Sequence, residues 1–121
     1  MPEQRIPGPD HPITVTPTEG TVTVRAGGRQ IASSTASRTL QESTYPAVQY
    51  IPLADVDPAV LRESASHSYC PYKGDASYFD LVVEGAESTD TVWVYRAPYD
   101  AVAGIKDHVA FYPDRVDITV D

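Results

Sequence analysis

The chain has 121 residues and a mass of 13.2 kDa, room for one domain around a single hydrophobic core and too little for two. Its formal charge of −8 and pI of about 4.6 disfavour nucleic acid backbones and anionic lipid as partners, because no basic stripe offsets the long-range repulsion. One cysteine excludes an internal disulfide and a CxxC zinc pair, and no run of about 18 apolar residues exists to span a membrane as a helix.

The opening segment "MPEQRIPGPDHP" is rich in proline and poor in apolar residues, and reads as a flexible arm over residues 1–12. It has neither a basic start nor an apolar run, so no signal peptide is expected and the cytoplasm is the expected location. The alternating runs "ITVTP" and "TVTVR" predict strands, and Gly27-Gly28 predicts a tight hairpin turn into a third, "RQIASS". "RTLQES" and "AVQYIPL" are two further strands, parted by Tyr45-Pro46. In "DVDPAVLRES" the period changes. Asp57 as N-cap and Pro58 at the first helical position predict one short helix. "SHSYC" and "SYFDLVVEG" then flank a turn, "YKGDA", and "TVWVYR" pairs back through the loop "GAESTD". Val102, Ile105 and Val109 in "YDAVAGIKDHVAFY" share a helical face, which predicts a C-terminal helix of about three turns before the last strand, "RVDITV".

The richest stretch chemically is "SYCPYKGDASYFDL", residues 68–81. Gly74 suits a bend that needs positive φ, and Pro71 keeps Cys70 extended while ending the strand's donors. If the flanking strands pair, Cys70 and Tyr78 meet at the base of the loop, and Lys73 and Asp75 stand at its tip or fold over its mouth. An ammonium about 5 Å from the sulfur would favour a thiolate nucleophile by on the order of 1–3 kcal/mol. Against this, free cysteine is among the most buried residue types, so a packed sulfur beside a solvated lysine is the simpler reading. The order Lys73-Gly74, with no helix following, excludes a phosphate-binding P-loop. On a flat strand His67 and Cys70 point to opposite faces, so His67 reaches the sulfur only through a bulge.

The segments "CPYKGDASYFDL", "YPAVQYIPLADV", "VWVYRAP" and "IKDHVAFYPDRVDI" together resemble the domain-of-unknown-function 427 family over roughly residues 20–118. That family carries a nucleotidyltransferase-like label. The resemblance implies a compact, mostly β, tent-like domain, similar to zinc-dependent exchange-factor folds without their four-cysteine site. By motif match it places the family's polar cluster on Glu42, Tyr45, Tyr50, Cys70, Lys73 and Gly74, and on Tyr78, Trp93, Tyr95 and Tyr112. The segment "SASHSY" before the cysteine departs from the family pattern, so no role is assigned to His67.

Other constellations carry less. Glu42 facing the same cleft as Lys73 would make an acid–base couple or, as readily, a loop-ordering ion pair. Tyr50, Trp93 and Tyr95 either line a pocket for a flat ligand or cover a sheet face. Asp55 and Asp57 superficially match a two-magnesium carboxylate pair, but Asp57 is better used as a cap. His11, His67 and His108 are scattered, so no metal is expected, and His108 near a helix C-terminus would be favoured there when charged. The expectation is therefore a mostly β, β-rich α+β fold: one tent-like domain over 13–121 with one short and one C-terminal helix. The functional expectation is a small-molecule cleft beside the 70–78 loop. Cys70, Lys73 and Glu42 are its chemical groups, Gly74 and the aromatics its contacts, and the cofactor and oligomeric state are open. The alternative is a non-catalytic protein-interaction module in which the Cys-Pro turn is structural.

Overall fold

The computed structural model describes residues 3–121, so Met1 and Pro2 of the proline-rich arm lie outside the described residues. Ten strands form: β1 (Ile13–Pro17), β2 (Val22–Ala26), β3 (Arg29–Ser34), β4 (Arg38–Glu42), β5 (Val48–Pro52), β6 (Leu61–Cys70), β7 (Gly74–Val83), β8 (Ala86–Val94), β9 (His108–Phe111) and β10 (Asp117–Val120). They build a seven-stranded sheet of order β1-β4-β5-β9-β8-β7-β6 and a three-stranded sheet of order β10-β2-β3, with antiparallel pairing throughout. No helix among the described residues is long and apolar enough to cross a membrane. The mostly β class holds.

The alternation of each strand sorts its side chains onto two faces of the large sheet. Ile51, Phe79, Leu81, Val92, Val94, Val109 and Phe111 face the small sheet and bury Val22, Val24, Ile31 and Ala32 between the layers. Neighbours one position away go to the opposite face: Tyr50, Tyr78, Trp93, Tyr95 and Ala110 join Leu40, Ala76, Val102 and Ile105 in a second cluster. One face is therefore a closed, mainly apolar core. The other is aromatic and hydroxyl-bearing.

Two predicted helices are corrected. Asp57 does cap, its side chain accepting from the Ala59 N–H at 3.0 Å, but only the 3-10 turn Pro58–Val60 follows before Leu61 starts β6. The expected C-terminal helix is the 3-10 segment Asp100–Ile105, broken at Val102 (φ −126°, ψ 29°), and then strand β9. Val102 and Ile105 cover the aromatic face, whereas Val109 packs into the inter-sheet core. The three residues that suggested one helical stripe thus lie on opposite sides of a sheet. Asp107, at φ 56°, turns the chain between them, and His108 opens a strand instead of ending a helix. Pairing with both β5 and β8 satisfies the backbone of β9.

The turns also differ from expectation. The loop "GAESTD" shrinks to a two-residue turn, with Val83 opposite Ala86 and both Glu84 and Gly85 at positive φ. The turn after the cysteine is Pro71–Lys73, because Gly74 already belongs to β7 and pairs with Cys70. Tyr78 is not opposite the cysteine, as the expected register had it, although both pack against the aromatic-face cluster.

Candidate functional site

Four strands and the residue after a fifth contribute to one cleft on the aromatic face, β4, β5 and β8 each through positions two apart. Leu40 and Glu42 come from β4, Val48 and Tyr50 from β5, Tyr78 from β7, Trp93 and Tyr95 from β8 and its end, and Tyr112 from just beyond β9. Tyr45 and Pro46, in the turn after β4, close one side, and Lys73 reaches in from the Pro71–Lys73 turn. The space is about 260 Å³, more than the roughly 150 Å³ that accepts benzene and just below the range of drug-sized pockets.

Lys73 is the least expected feature of the site. It is only 8% exposed, rare for lysine unless paired. Its Nζ donates to Glu42 Oε1 at 2.6 Å and contacts Cys70 Sγ at 3.6 Å. Gly74 makes this inward course possible. At φ 108° it adopts a backbone that side chains resist, and the Ala97–Tyr99 segment passes over it, with the Tyr99 N–H donating to the Lys73 carbonyl at 3.0 Å. The lysine side chain therefore folds under the turn and does not stand at its tip.

Glu42 is held from both sides. Its other oxygen, Oε2, bonds His11 Nε2 at 2.7 Å. Burial raises its carboxyl pKa, but the hydrogen bonds and charges of Lys73 and His11 outweigh this and hold it below the ordinary 4.5. His11 comes from the proline-rich segment, which lies against the turn: its ring stacks on Tyr72 (centroids 4.2 Å apart) and the Arg5 N–H donates to the Pro71 carbonyl at 2.8 Å. The sequence reading assigned His11 no role. A single histidine in a proline-rich segment gives no local signal for a partner 31 positions away.

The aromatic walls are interlocked. Trp93 Nε1 donates to Tyr50 Oη at 3.1 Å, with the two rings edge to face at 6.4 Å, and Tyr112 packs on Trp93 at 4.7 Å. Tyr78 Oη bonds Ser68 Oγ at 2.8 Å. Burial pushes the Tyr50 phenol up to about 12, and burial likewise pushes Tyr95 and Tyr112 up. All three stay protonated and able to donate at neutral pH.

Of the residues singled out in the sequence, Glu42, Tyr45, Tyr50, Lys73, Tyr78, Trp93, Tyr95 and Tyr112 line this cleft. Cys70 and Gly74 do not line it: Cys70 is half-buried with its sulfur 3.6 Å from the Lys73 ammonium, and Gly74 shapes the turn. His67 is exposed and opposite Ser77. The strand irregularity falls before it, between Glu63 and His67, so it does not bring the ring toward the sulfur. Asp55 and Asp57 are engaged elsewhere, accepting from Ser34 Oγ (2.5 Å) and from Arg29 (2.8 Å). Among the described residues no group of three His, Cys, Asp or Glu side chains is arranged to hold a metal ion.

Comparison with curated proteins gives no match. A family model described as "Domain of unknown function (DUF427)" matches residues 14–121, which takes in every strand but the first residue of β1. The chain belongs to the DUF427 family.

Proposed function

We propose that the aromatic cleft binds a small molecule, with the Lys73–Glu42 pair as its polar floor and the rings of Tyr50, Trp93 and Tyr112 as its walls. The observation that carries this is the buried ammonium. Burying a lysine costs several kcal/mol, which a pair in a closed core would barely recover. Here the pair ends at an open, ring-lined space, an arrangement suited to binding and to passing a proton. Glu42 is the acid–base partner, its ionised form stabilised by two donors. Cys70 backs the lysine from outside the cleft, so we assign it a contact role and give the reacting position, where there is one, to Lys73 and Glu42. The net charge of −8 supports a protein with no nucleic acid partner.

The competing reading, a protein-interaction module, draws on Tyr45 and Tyr112, which are 57% and 42% exposed at the cleft rim. A thermal-shift screen against a metabolite panel separates the two, since a ligand of the native state raises Tm whatever the chemistry. The expected result is a hit that survives Cys70→Ala and is lost in Lys73→Met and Trp93→Ala. A hit lost in Cys70→Ala instead would return the central role to the sulfur. A panel without hits, together with a protein partner lost in Tyr45→Ala, would overturn the cleft reading.

A further inference from the structure

The phenols of the cleft are not equally employed. Tyr78 shares a hydrogen bond with Ser68, and Tyr50 accepts from Trp93, which leaves its own proton free. Tyr95 is 7% exposed and lines the cleft, yet no described residue bonds its hydroxyl. The sealed and unpaired side-chain oxygen among the described residues is that of Ser37, so the Tyr95 oxygen opens onto the cleft. A hydroxyl that reaches the cleft without a protein partner is free to bond what enters it, and packing alone gives no reason to keep one where phenylalanine would fill the same space.

The groups around this hydroxyl define what it meets. Burial first, and then Tyr50, Cys70, Tyr78 and Glu42, oppose its ionisation, so it presents a proton. Tyr50 presents another, and Lys73 keeps a third N–H beyond those directed at Glu42 and Cys70. Both oxygens of Glu42 are already taken, by Lys73 and His11. The polar end of the cleft is thus rich in donors and short of free acceptors.

Building on the cleft reading above, we propose that the ligand is a single-ring planar molecule whose acceptor oxygen (carbonyl, carboxylate or enolate) docks on the Tyr95 and Tyr50 hydroxyls beside Lys73. The ring lies against Trp93. The volume suits one substituted ring, and protonated phenols in a desolvated pocket are strong donors to an oxygen that carries charge.

The test uses the intact protein and three probes: 4-nitrophenolate, benzoate and toluene. Binding is read by thermal shift and, for 4-nitrophenolate, by its absorption band. At least one of the oxygen-bearing probes is expected to bind more tightly than toluene, and the stronger of the two tells a single charged oxygen from a carboxylate. Tyr95→Phe should weaken that probe about tenfold or more, Tyr50→Phe should weaken it less, and neither should change toluene. Tyr95→Phe without ligand should melt at about the same temperature, because the hydroxyl has no protein partner to lose. Equal binding of all three probes, unchanged by Tyr95→Phe, overturns the acceptor inference and leaves the cleft reading standing. A lower Tm for unliganded Tyr95→Phe also overturns it, since the hydroxyl would then have a partner in the free protein. If no probe binds, the inference fails, and the cleft reading is judged separately by whether a panel hit is lost in Trp93→Ala.

Discussion

The two faces of the seven-stranded sheet are made by the same strands and do opposite jobs. Toward the small sheet the buried side chains are mainly apolar and form one continuous cluster. Toward the cleft the neighbouring positions carry Tyr50, Tyr78, Trp93 and Tyr95, with a buried ammonium among them. The first face maximises area removed from water at about 25 cal/mol per Å². The second keeps polar groups in semi-dry space, where each costs free energy unless bonded. Apolar burial dominates one side of the sheet, and hydroxyls with a buried ion pair mark the other.

That contrast breaks most sharply under truncation. Phe111→Ala, in the inter-sheet core and 2% exposed, should cost about 3–5 kcal/mol in a denaturant melt, whereas Trp93→Ala on the cleft face should cost clearly less. Equal losses would mean that the cleft face carries as much of the packing as the closed core.

A smaller effect is expected at the floor. Lys73→Met leaves Glu42 half-buried with His11 as its remaining partner. The expected cost is about 2 kcal/mol, below that of breaking a fully buried pair because Glu42 still meets solvent. Adding Glu42→Gln should recover part of it, and a double variant that is less stable than Lys73→Met alone would contradict the pairing.

The smallest effects are in pH dependence, and their signs differ. The folded-state pKa of Glu42 lies below its unfolded value of 4.5. Its contribution to stability is therefore present above pH 4.5 and is lost as the pH falls through the lower folded value. Tyr50 is raised from 10 to about 12, so its contribution, about 2–3 kcal/mol at most, is complete below pH 10 and is lost as the pH rises through about 12. Glu42→Gln should flatten the acid limb and Tyr50→Phe the alkaline one. An unchanged acid limb in Glu42→Gln would remove the electrostatic account of the floor.

Much of this was legible in one dimension. Alternation marked most of the strands, Gly27-Gly28 marked a hairpin whose two glycines do take positive φ (58° and 82°), and Asp57-Pro58 marked a cap. The segment 100–111 misled because Val102, Ile105 and Val109 at spacings of three and four satisfy a helical period, while "HVAF" read alone also satisfies a strand. Neighbouring strands β5 and β8 decided between the two. The polar members of the cleft were found in the sequence largely through the family resemblance, and His11 was missed because its contact is non-local.

By itself the sequence determined the β class, the acidic charge and the positive φ of Gly74, since these depend on composition and on patterns within a few residues. Only the tertiary structure decided that the Lys73 ammonium turns inward to Glu42, that the Cys70 sulfur lies beside it, and that the Tyr95 hydroxyl has no partner among the described residues. The physical reason is that burial and pairing belong to groups brought together across strands far apart in the chain. Desolvation and hydrogen bonding are settled by which atoms end up adjacent, and a linear pattern does not contain that information.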